Sequence, residues 1–403
     1  MKNKQYTKYI GVFLGLFCIA QSLVLALIFM GVDINIGHKI LVDKKEYQIY
    51  QEMKELSFLR SEIDKKYYSD FDKFALETGA IKGMFSSLPD GYSQFFTKEE
   101  LKAKKLRENG ESIGIGIFIG LNSQEEYVIL SLEEGRPAQK SGLEEGDLLV
   151  AINGETITKD NIEKLLETIR NSNKKYKIFG DYPEVEVTIK RAGVPMIFKV
   201  PVDKAQIKSV SGEIMGDMGY IQIKSFISTT SEDFILEIQK LKKAGITKLI
   251  IDLRNNPGGL VDEAAKVAGS LIGDEILYYT RSVHEKEEEH KSNTSKIFEG
   301  NVVVLVNEYS ASASELVTAA LKEYNIANVV GSRTFGKGII QTTYTLANGS
   351  GYKLTTKEYL TPHQGTIHQI GIEPDYQVLE DERQLEVAKE ILLNDHRSIS
   401  NRK

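Results

Sequence analysis

The chain has 403 residues, of which 41% are apolar, so it can fill about two to four packed domains and is unlike a disordered protein. Its 51 basic and 57 acidic residues give a net charge of −6, and their interspersed arrangement offers no basic surface for nucleic acid. The single cysteine, Cys18, excludes an intrachain disulfide and a thiolate metal cluster. Because Cys18 lies in an apolar segment, a cysteine–histidine protease is excluded as well.

The amino-terminal region predicts a membrane anchor. Residues 9–32 carry no charged side chain, and about 24 residues of helix extend roughly 36 Å, enough to cross a hydrocarbon core of about 30 Å. A cleaved signal peptide is the alternative, but its apolar stretch is shorter and no A-x-A-like site follows. We expect a cytoplasmic stub at 1–8, an anchor at 9–32 and an extracytoplasmic remainder, because basic residues precede the span: Lys2, Lys4 and Lys8.

A helical region is predicted between the anchor and residue 104. Apolar residues recur at steps of three and four from residue 43 to residue 97, and the turn sequence at 89–91 (PDG) interrupts them. Leu56, Leu59 and Ile63 belong to an apolar set too large for one thin helical layer to bury. We therefore expect this region to pair two copies of the chain in a homodimer.

Strand-like runs and two helices then predict a compact α+β module. The strands are expected at 114–119, 127–132, 147–154 and 184–191, and the helices at 137–141 and 161–171.

From Gly219 onward, strands and helices alternate, which predicts a largely parallel sheet with covering helices. The strands are expected at 220–223, 248–253, 301–306 and 329–330, and the helices at 232–244, 261–272 and 315–324. The charged stretch 285–291 is predicted to be a solvated loop. The fold class is therefore multidomain, combining α/β and α+β parts.

Three serines mark the junction between a predicted buried strand and a helix: Ser310, Ser312 and Ser314. One interpretation is structural, because Ser312 and Glu315 fit a capping box that satisfies the first N–H groups of a helix. The other is catalytic, because a strand-to-helix turn exposes a hydroxyl at the carboxyl edge of a sheet beside helix N–H groups.

A lysine follows in a glycine-rich segment at 331–338 (GSRTFGKG). The segment nearly spells a phosphate-binding loop, but Gly338 replaces the required hydroxyl residue and a strand, rather than a helix, is predicted next. Nucleotide binding is therefore disfavoured. What remains is Lys337 between apolar strands, where desolvation lowers the pKa of an amine and allows it to act as a general base to a serine.

The third element is a loop at 252–259 (DLRNNPGG) between a buried strand and a helix. Its two glycines allow a turn whose N–H groups face outward, as an oxyanion hole requires, although a tight turn without chemistry has the same signature.

Together these blocks resemble the C-terminal processing peptidases, the tail-specific serine proteases that have a Ser-Lys dyad and a PDZ domain. The resemblance runs in the expected order from about residue 50 to 380, on 79–84 (GAIKGM), 92–96 (YSQFF), 252–259 (DLRNNPGG), 310–315 (SASASE), 334–338 (TFGKG) with Gln341, and 371–375 (GIEPD).

The resemblance implies a role for each matching position. Ser312 would be the nucleophile, Lys337 its general base, and Gln341 the residue that orients the lysine amine. Backbone N–H groups of Gly258 and Ala313 would form the oxyanion hole.

The module at 105–205 is similar to bacterial PDZ domains, and the protease core would follow at 206–390, with a tail at 391–403. The carboxylate-binding loop would be Gly114, Ile115, Gly116 and Ile117, whose N–H groups grip a free chain terminus. Arg136 departs from the pattern, since a small or polar residue commonly precedes the Pro-Ala of this motif.

The expected function is that of a membrane-anchored, extracytoplasmic serine endopeptidase that captures exported or membrane proteins by their free C-termini. It needs no metal and no cofactor, and no nucleic acid is a partner. The alternative is a non-catalytic PDZ adaptor that only holds extracytoplasmic protein tails.

Overall fold

The computed structural model describes residues 13–23, 34–36, 39–41, 44–122, 124–158, 161–162, 165–166, 169, 183–283 and 285–394. These residues fall into two compact units, one ending at Glu77 and the other beginning at Thr78.

Only part of the predicted anchor lies within the described residues. Residues 13–23 are helical, and large apolar side chains such as Phe13 and Leu16 are exposed there. The remainder of 9–32, the stub at 1–8 and residues 395–403 of the predicted tail lie outside the described residues. Within the described part of the chain, no helix combines the length and apolar character that a membrane crossing requires.

Helices occupy most of the predicted helical region, and the last of them extends past residue 104, where the region was predicted to end. A short hairpin of β1 (Ile34–Ile36) and β2 (Lys39–Leu41) precedes α1 (Lys44–Glu52), α2 (Lys54–Lys66), α3 (Lys73–Ser86) and α4 (Lys98–Glu108). A capping box begins α4, with Thr97 Oγ1 accepting from the Glu100 N–H and the Glu100 carboxylate accepting from the Thr97 N–H.

The helical prediction is wrong for Gln94–Phe96, which form β3. Phe95 and Phe96 are both buried, and their backbone pairs with a strand more than 250 residues later in the chain. That long-range pairing overrides a local pattern compatible with helix.

The predicted α+β module folds as an antiparallel sheet with the strand order β10-β9-β7-β6-β5, to which β8 adds beside β7. Its elements are β4 (Glu111–Gly114), β5 (Ile117–Leu121), β6 (Tyr127–Leu132), α5 (Pro137–Lys140), β7 (Leu148–Ile152), β8 (Glu155–Thr156), β9 (Glu184–Arg191), β10 (Val194–Pro201) and β11 (Asp203–Gln206). Strand β11 pairs with β4 outside the main sheet. The hydrophobic core of this module includes the buried side chains of Ile129, Val187 and Ile189.

The predicted strand–helix alternation after Gly219 is confirmed as a mainly parallel sheet with the order β12-β13-β14-β17-β18-β21. Only β12 is antiparallel to its neighbour. The elements are β12 (Val210–Met215), β13 (Met218–Ile223), α6 (Thr230–Lys243), β14 (Lys248–Asp252), α7 (Val261–Ile272), β17 (Asn301–Val306), α8 (Ala313–Glu323), β18 (Ala327–Gly331), β21 (Tyr376–Gln377) and α9 (Asp381–Asn394).

A second, antiparallel sheet lies beside the parallel one. It has the order β16-β15-β20-β19, and β3 pairs with β20; its strands are β15 (Ile276–Arg281), β16 (Glu288–Lys291), β19 (Ile339–Thr345) and β20 (Gly351–Leu360). At 285–291 the prediction of a loop is wrong for β16, whereas the predicted exposure to solvent is confirmed for Glu288, Glu289 and Lys291. His290 of that edge strand stacks on Tyr278 and hydrogen-bonds Thr280, and these contacts hold the charged, largely exposed segment in the sheet.

Candidate active site

Ser312 occupies the turn between β17 and α8 that the sequence predicted. Its backbone has φ 56° and ψ −116°, a conformation that non-glycine residues rarely adopt and that persists only where surrounding contacts enforce it. Two neighbouring hydroxyls provide such contacts, since Ser310 Oγ donates to the Leu253 carbonyl at 2.8 Å and Ser314 Oγ to the Asn256 carbonyl at 3.0 Å. Both bonds fasten the serine turn to the loop at 252–259.

Glu315 joins the serine turn to the lysine loop. Its fully buried carboxylate accepts the N–H of Ser312 at 2.8 Å, as a capping residue does. It also accepts Thr334 Oγ1 at 2.6 Å, the Gly336 N–H at 2.7 Å and the Lys337 N–H at 2.8 Å. The sequence predicted a cap, and the structure shows that the same carboxylate holds the segment carrying Lys337.

Lys337 lies between β18 and β19. The strand that follows it confirms that the glycine-rich segment does not open a helix, as a phosphate-binding loop must. Burial lowers the pKa of the Lys337 amine, and the positive charge of Lys353 lowers it further, while Glu315 and Asp90 act in the opposite direction. The Lys337 amine therefore loses its proton more readily than a solvent-exposed lysine.

The Lys337 amine is not hydrogen-bonded to the Ser312 hydroxyl among the residues that the structure describes. Instead, Nζ lies 4.4 Å from the centroid of the Tyr92 ring. Gln341 Nε2 donates weakly to the Ile339 carbonyl at 3.3 Å and to Thr355 Oγ1 at 3.4 Å, so its NH₂ group bonds to β19 and β20. The loops carrying the serine and the lysine are joined through Glu315, but within the described residues the amine and the hydroxyl make no hydrogen bond to each other.

Gly258 and Ala313 lie together at the serine turn. Gly258 has φ +98°, and a Cβ added there would lie 2.7 Å from the Ala311 carbonyl oxygen and 2.9 Å from Ser312 Cβ, so only glycine fits. Its N–H donates to Asn256 Oδ1 at 2.9 Å. The Ala313 N–H starts α8, where the helix dipole favours negative charge.

A buried cluster supports the start of the 252–259 loop. The Asp252 carboxylate accepts the Tyr220 hydroxyl at 2.7 Å and Arg254 Nε at 2.9 Å. Arg254 also donates from Nη1 to the Asp381 carbonyl at 2.6 Å, which ties this loop to α9. Burial beside the Asp252 carboxylate raises the pKa of Tyr220, so its hydroxyl stays protonated as the donor.

The predicted carboxylate-binding loop separates β4 from β5. Gly116 has φ +81°, and the carbonyls of Ile115 and Gly116 accept the N–H groups of Ala138 at 2.8 Å and Glu133 at 3.0 Å. Within the described part of the chain, the N–H groups of Ile115 and Gly116 have no acceptor. Their carbonyls are thus held by the protein while these N–H groups remain available to an anion.

Arg136 is the residue beside this loop that sequence reasoning missed, having noted it only as a departure from a motif. It is 6% exposed, and its Nη2 donates to the Gly114 carbonyl at 3.1 Å. Glu133 at 2.9 Å and Asp203 at 2.8 Å balance its charge. The spacing of 22 residues between Gly114 and Arg136 gives no local signal of this contact.

Among the described residues, no group of three or more His, Cys, Asp or Glu side chains is arranged to hold a metal ion.

Comparison with known families matches two parts of this chain. The model of peptidase family S41 matches residues 217–378, which contain the parallel strands of the main sheet, Ser312 and Lys337. The PDZ domain model matches residues 103–189, which contain the loop at 114–117.

Individual relatives agree with the family match. The chain is 36% identical over 332 residues to a protein of Staphylococcus saprophyticus named "Probable CtpA-like serine protease", covering 82% of this chain and 66% of that protein. A protein of the same name from Staphylococcus epidermidis is 34% identical over 363 residues, covering 88% and 72%. The chain thus spans 66% to 72% of the length of these two relatives. The solved structure of a photosystem II D1 C-terminal processing protease superposes with a TM-score of 0.53 at 27% identity, covering 82% of this chain and 89% of that one. The chain belongs to the serine peptidases of family S41 and includes a PDZ domain.

Proposed function

We propose that this chain is an endopeptidase that uses Ser312 as its nucleophile and Lys337 as its general base. The observation that carries the proposal is the Glu315 carboxylate, which accepts N–H groups from both residues and so fixes their backbones side by side. The burial that lowers the pKa of Lys337 supports it, because a base must be neutral to take a proton. Membership of family S41 supports it independently.

The reaction would proceed through an acyl-enzyme. Ser312 Oγ attacks the scissile carbonyl carbon while neutral Lys337 takes the hydroxyl proton, and the resulting ammonium protonates the leaving amine. The N–H groups of Ala313 and Gly258 would stabilise the oxyanion. Water then hydrolyses the ester. These steps require the Lys337 amine to form a hydrogen bond to Ser312 that it does not make beside Tyr92, and the Gly258 N–H to exchange its Asn256 acceptor for the oxyanion.

A non-catalytic PDZ adaptor is the second candidate, and the observation in its favour is that the Lys337 amine contacts the Tyr92 ring and makes no hydrogen bond to Ser312 within the described residues. Incubation of the full chain with unfolded proteins, with mass spectrometry of the products, separates the two. The peptidase yields new termini that the Ser312→Ala variant does not produce, whereas the adaptor yields none.

The PDZ domain would select substrates by their free C-terminal carboxylate. We expect a peptide acid to bind the Ser312→Ala full chain about tenfold to more than a hundredfold more tightly than its amide, because the amide loses charge-assisted contacts worth about 1.5–3 kcal/mol. Fluorescence anisotropy with the paired peptides measures this ratio.

Glycine substitutions provide the matched control for that experiment. A Cβ added at Gly116 would lie 2.4 Å from Arg136 Cβ, whereas Gly135, also at positive φ, has open space around its Cβ position. Gly116→Ala should therefore abolish the preference for the acid, and Gly135→Ala should retain it. Equal affinity of the unmodified loop for acid and amide would show that it does not read the carboxylate.

The membrane anchor and extracytoplasmic location belong to the same proposal, supported by the uncharged segment at 9–32 and the lysines before it. Exported or membrane proteins would then be the substrates. We expect protease added to intact spheroplasts to digest the region after residue 33. Protection of that region until lysis would contradict this orientation.

A homodimer through the helical region is also proposed. Its support is the exposed apolar set on α1 and α2, which includes Tyr47, Ile49, Phe58 and Leu59.

A further inference from the structure

The segment at 90–96 has no role in the reaction described so far, yet it lies against the Lys337 side chain. The Asp90 carboxylate accepts the N–H of Tyr92 at 2.6 Å and both the N–H and the hydroxyl of Ser93 at 2.7 Å. Ser93 Oγ in turn accepts the Thr355 N–H at 3.0 Å. These bonds fix the backbone of Tyr92 on the second sheet.

The strand pairing that follows holds the same segment in register. Gln94 lies opposite Lys353, and Phe95 lies opposite Tyr352, on β20. Phe95 is buried, so the segment is anchored by apolar packing as well as by hydrogen bonds. Tyr92 therefore has a fixed position from which its half-buried ring reaches Lys337.

The contact between this ring and the lysine is a cation–π interaction. The Lys337 Nζ lies 4.4 Å from the ring centroid, within the range of about 6 Å over which the negative face of an aromatic ring attracts an ammonium. A neutral amine gains much less from the ring. The interaction therefore favours the protonated lysine in the position where it makes no hydrogen bond to Ser312.

We propose that Tyr92 is a positioning residue that holds the protonated Lys337 amine in a resting place, so that the base engages Ser312 only after leaving the ring. The inference rests on the proposed function, because it concerns the base of that reaction. It assigns a role to Tyr92 of the 92–96 segment, for which the family resemblance implied none in the reaction.

Other charged groups face the same amine and set the sign of the expected effect. Lys353 on β20 disfavours the ammonium, as does burial, while Glu315 on α8 and Asp90 of the turn favour it. Like Glu315 and Asp90, the Tyr92 ring favours the ammonium form of Lys337. Removing the ring should therefore lower the pKa of Lys337 further, so the neutral base becomes available at lower pH.

The test compares Tyr92→Leu with Tyr92→Phe in the full chain carrying Ser312→Ala. NMR titration of lysines labelled with carbon-13 at Cε reports each amine, and Lys337→Arg identifies the Lys337 signal. We expect Tyr92→Leu to lower the pKa of Lys337 by roughly 0.4 to 1.5 units, the value of one cation–π contact, and Tyr92→Phe to leave it nearly unchanged. Tyr92→Met, which has no ring, provides a second non-aromatic variant.

In the active protein, the same variants should move the pH profile of kcat/KM. The rising limb for Tyr92→Leu should shift to lower pH by the amount measured by NMR, with a gain of about threefold to thirtyfold below the pKa of the parent lysine. Tyr92→Phe should follow the parent, since it keeps the ring and loses only the hydroxyl.

The proposal is overturned if the Lys337 titration is the same in Tyr92→Leu and the parent, or if Tyr92→Phe shifts it as far as Tyr92→Leu does. A loss of kcat/KM without a shift would also overturn it and would indicate a purely structural role. The NMR titration requires no proteolysis, so it tests the resting place of the amine separately from the proposed function. If the pKa of Lys337 depends on the Tyr92 ring but the parent chain shows no peptidase activity, the proposed function is refuted and the resting place of the amine is retained.

Discussion

Replacement of Ser312 by alanine, or of Lys337 by alanine or arginine, is expected to lower kcat/KM by at least about a thousandfold while the fold remains intact. Ser312→Ala removes the attacking oxygen. Lys337→Ala removes the base, and Lys337→Arg fails because a guanidinium stays protonated and cannot accept the hydroxyl proton. Cleavage of an unfolded protein and circular dichroism of each variant provide the two measurements.

Lys357→Arg is the matched control for the lysine variants. Lys357 lies on β20, is ion-paired with Glu285 and Glu288 at the surface, and its pKa is raised by hydrogen bonds to these carboxylates. The same substitution there should leave the rate unchanged. Appreciable turnover by Lys337→Arg would exclude lysine as the base.

Glu315→Gln is expected to lower kcat at least about a hundredfold and to reduce the free energy of unfolding by about 2–5 kcal/mol. The buried carboxylate accepts four hydrogen bonds, from Ser312, Thr334, Gly336 and Lys337. An amide turns its NH₂ group toward some of these donors and leaves them unpaired. Steady-state kinetics and urea unfolding measure the two effects.

The control for Glu315→Gln is Glu373→Gln. Glu373 is exposed and paired only at the surface with Arg333, so its substitution should change neither quantity appreciably. A Glu315→Gln variant with the parent kcat would show that the tie between the serine turn and the lysine loop is dispensable for catalysis.

For elements with a strong local pattern, the predicted first and last residues agree with those in the structure. Strands β6, β9 and β17 and helix α7 have the predicted bounds, since each is an apolar or alternating run limited by turn residues. Strands β3 and β16 were missed because partners far along the chain determine them, β20 for the first and β15 for the second. Local periodicity contains no information about such partners.

The same distinction applies to the site. Ser312 and Lys337 follow from short motifs, and the structure brings their loops together. Three other contacts depend on how distant segments meet. They are the bond between Glu315 and the lysine loop, the bond between Arg136 and Gly114, and the contact of the Lys337 amine with Tyr92. Residue spacing cannot supply those contacts.

Trapping of the acyl-enzyme tests the central claim most directly. The full chain is mixed with an N-acyl peptide p-nitrophenyl ester, and the reaction is quenched in acid. The protein is then digested, and the masses of its peptides are measured by mass spectrometry. An acyl increment on the peptide that contains Ser312, absent from the Ser312→Ala variant, is the predicted result. Hydrolysis that continues in Ser312→Ala at the parent rate, or an increment on another residue alone, would contradict Ser312 as the nucleophile.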